Sequence, residues 1–236
     1  MKDVAIILAA AGRSTRFKDP YQKKVYATVN GKPVWQYSAQ LFADHPRVGQ
    51  IIMTIAAEDK DMVQEKFAGN LTMFGIEVVL GGDERCHSVR NALERVRPGM
   101  RWVGIHDAAR PCLTKQSLNQ VIEMADEKGA AILASPIRAT VKRVDPKTLR
   151  ITETVSRDGL WQAQTPQVFR VEDLKAAYAR VTGTPTDDAQ VIENAGIPIS
   201  VVEGPETNIK ITTKDDLRTV ESMLKTPQRS RENPFF

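Results

Sequence analysis

Cations gather just after the first apolar run of this chain. Val4 to Ala11 is apolar throughout, and it leads into Gly12-Arg13-Ser14-Thr15-Arg16, with Lys18, Lys23 and Lys24 close behind. Small residues let a ligand approach the backbone amides, and clustered guanidinium and ammonium groups meet negative charge, so the loop suits a polyphosphate. A surface loop carrying scattered basic residues is the alternative. The two best-known phosphate loops are excluded, since one needs G-x-G-x-x-G and the other G-x-x-x-x-G-K-[ST], and only Gly12 is present.

Further segments carry residues fit for the same chemistry. Trp102 to Pro111 is an apolar run that ends in Asp107 and Arg110. A carboxylate there suits Mg²⁺, which takes one or two carboxylates plus substrate phosphates; a helix-capping or turn aspartate is the plainer alternative. In "GGDERCHSV", Gly81 and Gly82 let a base or sugar lie against the backbone, while Arg85 and Ser88 can bond its edge or phosphates. The same stretch also reads as a strand-ending turn with Asp83 as a cap. Lys210 stands among isoleucines in "NIKIT", where it either reaches a site at a strand end or snorkels to the surface. Thr165 and Thr186-Asp187-Asp188 are polar loop residues able to bind a hydroxyl or phosphate. His45, His87 and His106 lack metal-ligand spacing and read as structural, and no Ser or Cys has a plausible His partner for nucleophilic catalysis.

These residues need strand ends to hold them. Runs at Val4–Ala10, Gln50–Ile55, Ile76–Leu80, Trp102–His106, Ala130–Ala134 and Ile199–Val202 read as strands. Helical patterns fall between them, at Pro33–Ala43, Asp59–Phe67, Arg85–Val96, Thr114–Lys128, Val171–Val181, Asp187–Asn194 and Lys214–Leu224. Such alternation predicts an α/β fold with a mostly parallel sheet, whose ligands bind at the carboxyl ends of the strands. Pro33 suits a first helical position, and Thr114 and Thr213 suit N-caps. From Arg138 to Val155 the pattern changes to β-branched residues on both sides of Asp145-Pro146-Lys147-Thr148, which predicts an inserted hairpin. A lone hairpin is marginal in water, so this one is expected to lean on a second copy of the chain. Residues Thr226 to Phe236 read as a mobile tail.

Composition narrows the class. A chain of 236 residues with 42% hydrophobic and 26% charged content can bury a substantial core. The net charge of +4 is spread along the chain without an aromatic-interleaved basic run, which argues against a nucleic-acid partner. Two cysteines offer neither a disulfide framework nor a zinc set, and the first apolar run is too short to span a bilayer. A cytoplasmic, unanchored protein is expected.

Taken in chain order, "AAGRSTR", "GGDERCHSV", "HDAARP", "SRDGLWQAQTPQ", "TDD" and "NIKIT" resemble the methylerythritol phosphate cytidylyltransferases of the non-mevalonate isoprenoid pathway, over roughly Val4 to Leu224. The resemblance implies a Rossmann-like nucleotidyltransferase domain over 1–225, with helices on both faces of the sheet and a protruding β-hairpin arm at about 137–158. It implies binding of CTP and Mg²⁺, and a homodimer that exchanges the arm. The implied reaction joins CTP and methylerythritol phosphate, giving cytidyl-diphosphate-methylerythritol and pyrophosphate. Matched residue by residue, Ala10, Ala11, Gly12 and Arg16 would line the triphosphate loop, with Lys24 as its lysine. Gly82, Asp83, Arg85 and Ser88 would hold the cytidine, Asp107 the metal, and Lys210 would sit beside the α-phosphate. Arg110, Thr165 and Thr186 would face the polyol phosphate, with Thr140 and Arg157 supplied by the partner's arm.

The chain departs from the family pattern at three places. Ser14 stands where the family has a second glycine, Lys23-Lys24-Val25 replaces Pro-Lys-Gln, and Ala92 replaces a glycine. One extra residue before Lys24 leaves Lys23 as a rival for the loop lysine. Other readings are a cytidylyltransferase for another polyol phosphate, such as ribitol phosphate, and a non-catalytic nucleotide binder; an NAD(P)-dependent oxidoreductase lacks its glycine turn.

Overall fold

Alternate residues of β1 (Val4–Ala9) serve opposite cores: Val4, Ile6 and Leu8 pack on one side and Ala5 and Ile7 on the other, all fully buried. A strand covered on both faces reads as continuously apolar for this reason. β4 (Val48–Ile55) and β6 (Trp102–Asp107) flank it in parallel, and β5 (Ile76–Leu80) extends the sheet beyond β4. Beyond β6 lies β10 (Trp161–Arg170), antiparallel to β6 and to its other neighbour, β7 (Ala130–Pro136). β11 (Ser200–Glu203) closes the far edge, parallel to β7. The result is one mostly parallel seven-stranded sheet of order β11-β7-β10-β6-β1-β4-β5. This is a computed structural model, and it describes residues 1–19 and 22–225; the tail expected from Thr226 to Phe236 lies outside the described residues.

Helices cover both faces. α1 (Val34–Ala43), α2 (Lys60–Met73), α4 (Lys115–Lys128) and α7 (Lys214–Lys225) pack on the side of Ile6 and Leu8. α3 (Arg85–Leu93), α5 (Val171–Tyr178) and α6 (Asp188–Asn194) pack on the side of Ile7. Thr114 caps α4 by accepting the Ser117 N–H at 3.1 Å. Thr213 and Asp216 cap α7 reciprocally, each side chain accepting the other's backbone N–H. Among the described residues no helix is long and apolar enough to cross a membrane.

The sequence reading needs correction at several elements. Pro33 ends the short strand β3 (Lys32–Pro33), which pairs with β2 (Thr28–Val29), and stands one position ahead of the first helical residue. α2 runs on to Met73, whereas α3 and α5 stop short at Leu93 and Tyr178. The largest omission is β10. Pro166 and the polar Gln162, Gln164, Thr165 and Gln167 argue against a central strand, yet the strand is central because its ladder is interrupted between Ala163 and Gln167, where the proline costs no hydrogen bond. Gln167 is buried but satisfied: it donates to Asp187 Oδ2 at 2.8 Å and accepts the Ala189 N–H at 2.9 Å.

The expected hairpin is present as β8 (Val141–Val144) and β9 (Ile151–Val155), a two-stranded sheet of its own. Asp145 makes its turn by accepting the Lys147 and Thr148 N–H groups at 2.9 and 2.8 Å. Its side chains are almost all exposed, including Val144, Leu149 and Ile151.

Phe169 tests whether β10 anchors the fold, since it is fully buried in the second core. Phe169→Ala is expected to lower unfolding free energy by about 3–5 kcal/mol, read from a urea transition. A loss under about 1 kcal/mol would show that the strand contributes little.

Candidate active site

Strand register sets the site. Ala9 lies level with Asp107 of β6 and with Thr54 of β4, and Ile55 lies level with Leu80 of β5, so four parallel strands end together. The loops leaving them enclose a cleft of about 410 Å³. Ala10, Ala11, Gly12, Lys24, Gly82, Asp83, Arg85, Ser88, Asp107 and Lys210 all line it, as do Arg13 and Glu58. Packing between loops is tight: a Cβ on Gly81 would sit 2.6 Å from both Ala11 Cβ and Ser88 Oγ, so that position requires glycine. Ser88 Oγ accepts the Gly82 N–H at 3.1 Å and holds the glycine turn against α3. Glu84, not Asp83, is the residue that precedes α3, and Asp83 is exposed at the cleft.

Asp107 is the one buried carboxylate among those lining the cleft. Lys210 Nζ stands 2.7 Å from its Oδ2, Arg85 Nε 3.4 Å from its Oδ1, and Arg110 Nε 3.8 Å from its Oδ2. Burial works against the charge, but Arg85, Lys210 and Arg110 outweigh it and hold this carboxyl well below the usual range. Arg85 is in turn fixed from behind by Asp188, which is fully buried: its Oδ2 lies 2.6 Å from the guanidinium, and Tyr178 donates to its Oδ1 at 2.6 Å. Asp107 opens the turn to Arg110 but caps no helix, and Lys210, its side chain 36% exposed, reaches the site.

The two candidate loop lysines separate cleanly. Lys23 Nζ is bound to Glu58 at 2.7 Å and Asp59 at 2.8 Å, and Asp59 also accepts the Tyr26 hydroxyl. Lys24 lines the cleft, where burial and then the neighbouring Lys210 push its pKa down to about 8. Arg16 is exposed and does not line the cleft, yet it lies near enough for its charge to contribute to the lowering at Lys24.

The family described as IspD, 2-C-methyl-D-erythritol 4-phosphate cytidylyltransferase, matches residues 4–226. The chain belongs to this family. A 2-C-methyl-D-erythritol 4-phosphate cytidylyltransferase of Alkaliphilus metalliredigens is 38% identical over 221 residues, covering 91% of this chain and 90% of its own. One from Rhodopirellula baltica is 39% identical over 233 residues, covering 94% of each. Among solved structures, the Francisella tularensis 2-C-methyl-D-erythritol 4-phosphate cytidylyltransferase superposes with a TM-score of 0.74 at 33% identity, covering 93% of this chain and 99% of that one. The 4-diphosphocytidyl-2C-methyl-D-erythritol synthase of Anaerococcus prevotii gives 0.80 at 26% identity, covering 95% and 97%.

The residues that the cytidylyltransferase resemblance assigns to a polyol phosphate are not gathered in one place. Arg110 touches Asp107 and donates to the Asn208 carbonyl at 2.7 Å. Thr165 is buried behind Asp107, accepting its N–H at 3.1 Å. Thr186 is exposed beside α6 and bonded to Gln190. Thr140 and Arg157 are exposed on the arm, where Arg157 donates to the Arg138 carbonyl. Sequence reasoning passed over Asp188 as a partner of Arg85 and gave Ser38 no role, because neither carries a local signal: their partners lie 103 and 68 residues away.

Departures from the IspD pattern have physical consequences. Ala92 is fully buried in the α3 face, where its methyl is accommodated and favours the helix. Ser14 sits at φ 54°, a left-handed conformation that glycine adopts freely, and its Oγ accepts the Lys24 N–H at only 3.4 Å. Ser14→Gly is thus expected to raise stability by about 1 kcal/mol in chemical denaturation, while Ser14→Ala, which keeps the backbone strain, does not. Equal stability of the two variants would contradict the strain.

Proposed function

We propose that this protein transfers the cytidylyl group of CTP to 2-C-methyl-D-erythritol 4-phosphate, giving 4-diphosphocytidyl-2-C-methyl-D-erythritol and pyrophosphate for isoprenoid precursor synthesis in the cytoplasm. One observation carries this reading within the family: a single buried carboxylate, Asp107, stands among Lys210, Arg85 and Arg110 at the mouth of a glycine-walled cleft that also holds Lys24. An oxygen of the polyol phosphate attacks the α-phosphorus of CTP, the bond to the bridging oxygen breaks, and pyrophosphate leaves with the electron pair. No covalent enzyme intermediate is needed. Negative charge accumulates on the reacting phosphates, so preorganised cations do the work.

The roles follow from position. Ala10, Ala11 and Gly12 offer backbone to the triphosphate, with Lys24 and Arg16 opposing its charge. Gly82, Asp83, Arg85 and Ser88 form the wall for the cytidine. Lys210 is 36% exposed at its side chain and can turn from Asp107 to the α-phosphate. Asp107 would be the protein's carboxylate for Mg²⁺, which takes one or two carboxylates plus substrate phosphates, once Lys210 has turned away from its Oδ2. When bound, Mg²⁺ would supply charge neutralisation across those phosphates.

The polyol phosphate falls to Arg110 and Thr186 together with Thr140 and Arg157 from a second copy, whereas Thr165, buried behind Asp107, acts on the backbone of that carboxylate and does not touch the substrate. Exposed Val144, Leu149, Ile151 and Trp161 on and beside the arm support a homodimer, since an isolated hairpin with apolar side chains in water is a poor ending state. Residues 1–225 then act as a single nucleotidyltransferase domain with the arm at 137–158.

Pyrophosphate release with CTP and a panel of polyol phosphates tests the reading. Methylerythritol phosphate should be the fastest; ribitol phosphate outpacing it, or CTP binding without turnover, would replace this function with one of its rivals. Lys210→Ala should lower turnover by about 10²–10³ with the fold intact. Mixing Lys210→Ala with Arg157→Ala subunits should restore part of the activity, whereas no recovery would place each site within one chain. Protonation of Lys24 gives a pH dependence of known sign. As pH rises through about 8 the lysine loses its proton while the nucleotide phosphates are already ionised, so CTP affinity falls. Lys24→Gln should flatten that alkaline limb in a calorimetric series; an unchanged limb would assign it to another group.

A further inference from the structure

Behind Asp107 a chain of hydrogen bonds runs through the protein interior and returns to Arg110. Its centre is His106, fully buried, with its ring edge-on to Phe42 at 5.2 Å between centroids. Nε2 of the ring lies 3.2 Å from the Arg110 carbonyl oxygen and 3.1 Å from Ser38 Oγ, and Ser38 Oγ is 3.1 Å from the same carbonyl. A carbonyl oxygen only accepts, so Nε2 must carry the proton and Ser38 must donate its own to Arg110. Nδ1 of the neutral ring is then an acceptor, and the group facing it is Thr165 Oγ1 at 3.1 Å. The Thr165 proton is thereby committed to His106, and its oxygen accepts the Asp107 N–H at 3.1 Å.

We infer that His106, as the Nε2–H tautomer, is a positioning residue that fixes the Asp107 carboxylate and the Arg110 guanidinium relative to one another, with Thr165 and Ser38 as its two couplings. Each proton in the chain has one direction available, from the Asp107 N–H to the Arg110 carbonyl. The Arg110 N–H closes the loop by donating to the Asp107 carbonyl at 3.0 Å. Four residues from β6, β10, α1 and the turn after β6 thus set the backbone from which both charged side chains project. Thr165 acts through this relay, and its hydroxyl proton is not offered to a substrate phosphate. The inference deepens the cytidylyltransferase reading and rests on it for its kinetic consequence.

Two measurements test it. Long-range ¹H–¹⁵N correlation of the imidazoles in the free wild-type protein should show His106 as a pure Nε2–H tautomer; an Nδ1–H tautomer or a mixture overturns the relay. In steady-state kinetics His106→Phe should raise the KM for methylerythritol phosphate by about tenfold or more while the calorimetric Kd for CTP, measured without divalent cation so that Asp107 takes no part through a metal, changes less than about threefold. Ser38→Ala, which leaves Nε2 bonded directly to the Arg110 carbonyl, should give a smaller rise of about two- to fivefold in the same direction, and it decides the matter if the Phe variant does not fold. Parallel changes in both substrates, or no change in either, would reduce His106 to a packing residue. Absence of turnover in the wild type would sink the functional reading alone, because the tautomer is read without substrate.

Discussion

Asp107 is the fixed point of this structure. A carboxylate buried at the end of a parallel strand is tolerable only if cations meet it, and those cations must be brought from wherever the chain can supply them. Arg110 comes from the turn that β6 itself runs into, Arg85 from the start of α3, and Lys210 from the segment ahead of α7. Three positive groups around one negative group leave a surplus. Asp188 balances part of it through Arg85, but Lys24 and Lys210 share the cleft closely enough that burial and their mutual repulsion make the Lys24 ammonium easier to discharge. Phosphates bound as proposed above would relieve the repulsion between Lys24 and Lys210.

How much of this was legible in the sequence depended on whether a residue's reason lay nearby or far away. Strands buried on both faces are continuous apolar runs, so β1, β4, β6 and β7 could be read directly, and the loops after them could be marked as the place for a ligand. The hairpin was legible from Asp145 and its flanking β-branched residues, because an Asx turn is a local device. β10 was not. Its polar residues look unfit for the interior until one sees that Gln167 pairs with the start of α6 and Thr165 with β6. The placement of Lys23 and Lys24 was likewise invisible in one dimension, since it depends on Glu58 and Asp59, which lie on the far side of α1 and β4 in sequence and engage Lys23, while Lys24 itself lines the cleft.

The altered first loop illustrates how a chain absorbs changes at a site. Glycine's absence at position 14 costs backbone freedom, yet the serine hydroxyl takes up a backbone contact to the residue whose side chain faces the cleft. Lys23, just ahead of Lys24, turns to Glu58 and Asp59. The sheet register places Ala9 level with Asp107, and the cleft is bounded by Ala10 to Gly12 on one side and Gly81 to Arg85 on the other.

The arm is joined to this centre more directly than its exposure suggests. The Ile137 N–H donates to the Leu160 carbonyl at 3.1 Å, and Trp161 pairs with Pro136, so the arm's base is the continuation of the β7–β10 ladder. Three residues further along β10 from the Gln162–Ser135 pair comes Thr165, whose oxygen holds the Asp107 N–H, and between them the Ala163 carbonyl accepts from Arg110. The ladder is continuous from Trp161 to Ala163 and interrupted from there to Gln167, so the Ala163 carbonyl is the last paired position of the arm's base, and it is the one that Arg110 reaches. In the homodimer proposed above, a partner that holds the arm would also hold the strand end that carries the Ala163 contact to Arg110.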